Sequence, residues 1–96
     1  MNITDVRIRP VQEGGKVKAI ASITLEDCFV IHDLKVVEGE NGLFVAMPAR
    51  KGPDGIFRDI AHPIEQETRR TISRLVIERY EARMKEMEAE KPEETV

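Results

Sequence analysis

The 96-residue chain predicts an α+β fold: an antiparallel β-meander of four to five strands packed against one long C-terminal helix. One change of period and the punctuation before it carry that expectation. Apolar and polar residues alternate with period two through the first part of the chain, the pattern of half-buried strands. Short breaks rich in glycine, proline and acidic residues cut this region into runs, and consecutive strands joined by tight turns pair antiparallel. From Ile64 onward apolar residues recur every three or four positions instead, which is the helical period.

Ile3 to Arg9 forms the first expected strand, with Asp5 to Arg9 in strict alternation; Pro10 ends it or marks an edge. Glu13-Gly14-Gly15 reads as a turn. Lys16 to Leu25 places Val17, Ala19, Ala21, Ile23 and Leu25 on one face and Lys16, Lys18, Ile20, Ser22 and Thr24 on the other. Glu26-Asp27 is a short polar break. Cys28 to Val37, rich in β-branched and aromatic residues, is the next strand, Glu38 to Gly42 a turn, and Leu43 to Met47 the following strand.

The segment Asn41 to Pro63 holds three of the five prolines and three of the six glycines. Pro53-Asp54-Gly55 is a turn, because proline presets the first corner and glycine accepts a positive φ. Ile56 to Ala61 resumes an extended, apolar character. Arg50, Lys51 and Arg58 lie in and beside the loop between the two apolar runs, so a basic loop is held at both ends by stiff segments. Pro63 can open the helix, where its missing N–H would be unpaired in any case. Ile64, Thr68, Ile72, Leu75, Val76, Tyr80, Met84 and Met87 form one stripe of a helix of about six turns. Arg69, Arg70, Arg74 and Arg83 fall off that stripe. The expected organisation is one domain over residues 1–87 and a disordered acidic tail over 88–96.

Composition narrows the function classes. No run of eighteen apolar residues marks a membrane span, and the start has no basic-then-apolar leader. The lone Cys28 excludes an intrachain disulfide and a cysteine-based zinc site. These features fit a cytoplasmic protein. The net charge of −3 argues against coating nucleic acid by bulk electrostatics. The charge is uneven, however. Residues 64–85 carry six cations against four anions, or +2, and residues 86–96 carry five glutamates against one lysine, or −4. An acidic end thus hides a basic balance before it.

Arg50, Lys51 and Arg58 are the leading candidate site, since phosphates are met by lysine as a point charge and by arginine as a bidentate donor. Charge alone favours a solvated, mildly basic loop. Arg69, Arg70 and Arg74 extend a phosphate track along the helix, or simply solubilise it through the pairs Glu65–Arg69, Glu67–Arg70 and Arg74–Glu78. Arg7, Arg9, Lys16 and Lys18 are the wet side of their strands. His32-Asp33 and Asp59-x-x-His62 suggest a metal or acid–base pair, but neighbours on a strand point to opposite faces, so His32 and Asp33 are not expected to act together. Cys28 is expected as a small core residue, and Phe29, Phe44 and Tyr80 as core aromatics, with Phe57 the exception beside the basic loop. No phosphate-binding glycine loop with a Lys-Ser/Thr end is present. The expectation is a non-enzyme with no cofactor, no metal and no small-molecule substrate.

The segments Gly-Leu-Phe-Val-Ala-Met-Pro at 42–48, Pro-Asp-Gly at 53–55 and Phe-Arg-Asp-Ile-Ala-His-Pro-Ile at 57–64 resemble the SpoVG family (stage V sporulation protein G). Thr4 to Arg7, Lys18 to Leu25 and Phe29 to Asp33 extend the resemblance over about residues 1–80. Many relatives carry serine, two basic residues and threonine before Pro-Asp-Gly, where this chain has Ala49-Arg50-Lys51-Gly52. The resemblance implies a β-rich homodimer that binds DNA and possibly RNA, regulates gene expression, and influences septation or sporulation. A sheet with one helix also leaves a face and two edges open, which a second copy would cover. The rival reading is a protein-interaction module acting through a sheet edge or the Arg-rich helix.

Overall fold

The computed structural model describes residues 2–11 and 14–90. Six strands and one helix follow in order: β1 (Ile3–Pro10), β2 (Val17–Leu25), β3 (Phe29–Gly39), β4 (Gly42–Ala46), β5 (Ala49–Lys51), β6 (Phe57–Asp59) and α1 (Gln66–Glu90). β1 to β4 form an antiparallel meander in the order β1-β2-β3-β4, and α1 packs on one of its faces. β5 and β6 form a separate two-stranded ribbon. The α+β architecture expected from the sequence is therefore present, with the extended run after the Pro-Asp-Gly turn placed in its own hairpin rather than in the main sheet.

The turns follow from their residues. Leu25 pairs with Phe29 across the three-residue connection Glu26-Asp27-Cys28, and Glu26 and Asp27 both take positive φ (51° and 55°), as the two central residues of a turn matching strand twist do. The Cys28 N–H closes this turn on the Leu25 carbonyl at 3.0 Å, and the Asp27 N–H donates to Thr4 Oγ1 at 3.0 Å. Gly39 and Gly42 pair across the next turn, with Gly42 at φ 112°. Of the expected Glu13-Gly14-Gly15 turn, Glu13 lies outside the described residues.

The core is the face of the sheet beneath the helix. Ala19, Ala21 and Ile23 of β2, Leu34 and Val36 of β3, Val45, Met47, and Ile72 and Val76 of α1 are buried. The β2 face read from alternation is the buried one. Val6, Ile8, Ile31, Leu43, Ile77 and Tyr80 pack around its margin. Each large side chain fully covered here contributes roughly 1.5–3 kcal/mol.

The helix differs from expectation at both ends. It begins at Gln66, three residues after Pro63, and the Glu65 carbonyl accepts its first bond from the Arg69 N–H at 3.1 Å. Ile64 thus precedes the helix and stands 93% exposed. At the other end the helix continues through Glu90; the rest of the expected tail, residues 91–96, lies outside the described residues. The 25-residue helix runs about 38 Å, whereas the nine residues of β2 span about 30 Å. Among the described residues none after Val76 is buried, and Met84 is exposed.

Two further expectations are corrected. Cys28 is exposed, because it closes the tight turn instead of entering the strand. Phe29 and Phe44 are 63% and 49% exposed: Phe29 sits at a strand end, and Phe44, opposite Val37, lies on the face away from the helix. Tyr80 does pack against the core. Among the described residues no helix is long and apolar enough to cross a membrane.

Candidate functional site

The basic segment forms a hairpin arm. The Ile60 N–H donates to the Pro48 carbonyl at 2.7 Å and closes its base. At the tip the Gly52 N–H donates to the Ile56 carbonyl at 2.9 Å and the Gly55 N–H to the Gly52 carbonyl at 3.0 Å. Pro53 and Asp54 occupy the corners and Gly55 takes φ 81°, the three-residue loop in which a left-handed glycine follows the turn. The expected Pro53-Asp54-Gly55 turn is therefore present, and the segment around it is paired strand rather than open loop.

Asp54 locks the tip. Its Oδ1 accepts the Ile56 N–H at 3.1 Å, and its two oxygens take Nη1 and Nη2 of Arg58 at 3.2 and 2.7 Å. The Arg58 guanidinium, and after it the Ile56 N–H, hold the Asp54 carboxyl below its ordinary range; Asp54 in turn raises Arg58. Gly52 makes room for this clamp. A Cβ there would lie 2.7 Å from Arg58 Nη1 and 2.9 Å from Asp54 Oδ1. Glycine at 52, where the resemblance leads one to expect threonine, leaves the space the guanidinium fills.

Register sorts the arm into two faces. Arg50 and Arg58 are cross-strand partners and share one; the pairs Lys51–Phe57 and Ala49–Asp59 lie on the other. Arg50, Lys51 and Arg58 still line one open hollow of about 650 Å³ with Gly52, Pro53, Asp59 and Ile60. Residues 49–59 carry three cations and the carboxylates of Asp54 and Asp59, a net +1. Among the described residues Arg50 and Lys51 meet no carboxylate within ion-pair distance, whereas Arg58 does.

The helix arginines form a separate group. Arg69, Arg70 and Arg74 are exposed on the first turns of α1, and none lines the hollow of the arm. Arg74 pairs with Glu78 at 3.6 Å as the spacing suggests. Glu65 instead accepts the Thr68 hydroxyl at 3.3 Å. The Glu65–Arg69 and Glu67–Arg70 pairs are not formed among the described residues.

His32 and Asp33 do not point to opposite faces. Ile23 pairs with Ile31 and Ala21 with Leu34, so Ser22 faces both residues across a bulge, with Asp33 at φ 66°. Both line an open depression on the sheet face away from the helix, together with Arg7, Arg9, Ile20 and Ser22. The apolar spacing Ile31-x-x-Leu34-x-Val36 signals this: one extra residue is needed to return Leu34 to the core. The His62 Nδ1 lies 3.1 Å from the Pro63 carbonyl. No cluster of metal-ligating side chains forms among the described residues.

The SpoVG family model matches residues 1–82. Three similar proteins bear the name "Putative septation protein SpoVG". That of Caldicellulosiruptor bescii is 60% identical over 82 residues, covering 85% of this chain and 93% of its own. That of Desulforudis audaxviator is 63% identical over 83 residues, covering 86% and 94%. That of Clostridium perfringens is 62% identical over 81 residues, covering 84% and 90%. The family match takes in the sheet, the arm and the first two-thirds of the helix.

Proposed function

The chain belongs to the SpoVG family, and on that premise we propose that it is a nucleic-acid-binding regulatory protein, acting as a homodimer on gene expression and on septation or sporulation. The arm docks on the phosphates of DNA or RNA. What supports this reading is the hairpin itself: Arg50 and Lys51 stand on a paired ribbon clear of the body, with no carboxylate within ion-pair distance among the described residues. Arg50 supplies a forked donor and Lys51 a point charge. Arg58 retains donors beyond the two that hold Asp54. Arg69, Arg70 and Arg74 add a second, weaker phosphate track along the helix. A two-fold dimer presents every such contact twice, as a symmetric duplex or a folded strand requires. No chemistry is performed on the ligand, so the protein is a reader and not an enzyme.

A mobility-shift titration in salt, with short DNA and RNA duplexes and single strands, tests the reading. The logarithm of affinity should fall linearly with the logarithm of salt concentration, with a slope of about −0.9 for each phosphate neutralised on duplex DNA. Replacing Arg50, Lys51 and Arg58 by alanine should leave a folded protein and reduce the slope by about 2–3 per chain. A folded protein that shifts none of these probes at about 50 mM salt would sink the proposal and favour a protein partner at a sheet edge or at the Arg-rich helix.

A further inference from the structure

The arm exposes apolar side chains that no other element among the described residues covers. Ile56, Phe57 and Ile60 are 56%, 67% and 67% exposed, and Ile64 follows at 93%. The ribbon packs on no strand of the main sheet and not on the helix. Patches of this kind mark interaction surfaces. At the arm's base an apolar cleft of about 180 Å³ opens between the sheet and the start of the helix. Ile23, Leu25, Ile31, Met47, Thr68 and Ile72 are among its walls.

We propose that the arm of one copy lies across the cleft of a second copy, seating Phe57, and receives the partner's arm in the same way. The proposal rests on the homodimer of the preceding reading and names its surface. Continuity supports it. Met47 and Ala61 to Pro63, which flank the two ends of the arm, are also walls of the cleft. The arm therefore leaves from the cleft's own edge, and its closed base, Ile60 to Pro48, keeps it from folding back inside. A two-fold axis beside the bases carries each arm over the other cleft, an isologous contact that closes on itself. Ile60 and Ile64 then meet along the seam.

Area supports it as well. Phe29, Phe57, Ile60 and Ile64 are each more than half exposed, leaving on the order of 100 Å² uncovered apiece. Two copies thus offer about 800 Å² before the cleft walls are counted, against about 1,200–2,000 Å² in a stable interface. The arm's register makes the contact compatible with ligand binding. Phe57 shares its face with Lys51, and Arg50 with Arg58 occupies the other, so seating Phe57 leaves the arginine face open to phosphate.

Sedimentation of the full chain tests the proposal. The protein should be dimeric, and Phe57→Ser should remain folded by far-UV circular dichroism. Its dimer dissociation constant should rise on the order of a hundredfold or more, since two large side chains return to water across the two copies. A second measurement fixes the location without removing the anchor. In a Cys28→Ser background, Asp59→Cys chains mixed with Thr68→Cys chains should be joined by a short bis-maleimide. A dimer unaffected by the serine variant, or no cross-link between the two kinds of chain, overturns the arm exchange while leaving the homodimer standing. A monomeric wild type overturns both. Binding of nucleic acid by the arm is read separately in the mobility shift.

Discussion

Arg58 commits two of its N–H donors to Asp54, and this one contact sets the charge of the arm tip. Asp54→Asn should keep the turn, because an amide oxygen still accepts the Ile56 N–H, while releasing the guanidinium and removing a negative charge. Nucleic-acid affinity at low salt should rise, with the salt slope steeper by about 0.9 per chain; weaker binding would mean that the clamp positions Arg58 for its ligand. The clamp also has a pH signature. Asp54 is held below its ordinary value by Arg58, so its contribution is fully present above the unfolded value and is lost as pH falls through the folded one. The Ile56 amide resonance should hold steady from neutral pH to about pH 4 and move only below it. Gly52→Ala, whose Cβ would strike the Arg58 guanidinium, should raise the Asp54 pKa back toward the ordinary carboxylate range in an NMR titration. The turn residues were legible in the sequence; the clamp was not. Asp54 and Arg58 are four apart, a spacing read as a pair on a helix, and they meet here only because the hairpin closes.

At the scale of elements, the helix and β3 show where periodicity succeeds and where it misleads. Ile72 is buried, and Ile72→Ala should cost about 2–5 kcal/mol in chemical denaturation. Met84 belongs to the same sequence stripe but is exposed, and Met84→Ala should stay within about 0.5 kcal/mol. Equal losses would show that the sheet extends further under the helix than described. A stripe records which residues share a side of the helix, and it carries no information about how far the sheet reaches beneath them. In β3 the alternation is broken by one residue, and the bulge turns His32 and Asp33 onto the same open face as Arg7 and Arg9. Strict period two assigned them to opposite faces, although the Ile31 to Leu34 interval already contained the extra residue.

For the whole molecule, the proposed nucleic-acid binding has to be reconciled with a net charge of −3, and the uneven spread of that charge is what permits it. Glu86 lies 3.7 Å from Arg79 and 3.5 Å from Arg83, so the acidic end begins by neutralising helix arginines. Truncation after Lys85 removes −4 and leaves +1 (−3 minus −4). The shortened protein should keep its fold and bind DNA or RNA more tightly at low salt, the gain fading as salt screens it. An affinity equal to that of the full chain would place the removed charges outside the reach of the ligand. The same scale accounts for the exposed aromatics. A core of nine buried apolar residues coexists with eight large exposed ones among those described, because a chain of this size covers only part of its apolar surface with its own core.

The sequence by itself determined the kinds of element, their order, the turns and the family, because period, glycine, proline and motif are local properties of the chain. Only the tertiary structure decided which apolar faces were covered and which cations stayed unpaired. It withdrew Phe29, Phe44 and Cys28 from the core, held Arg58 to Asp54, and stood the arm clear of the body. Burial and ion pairing depend on distances between segments that are remote in the chain or brought together by a turn, and those distances exist only once the chain has folded.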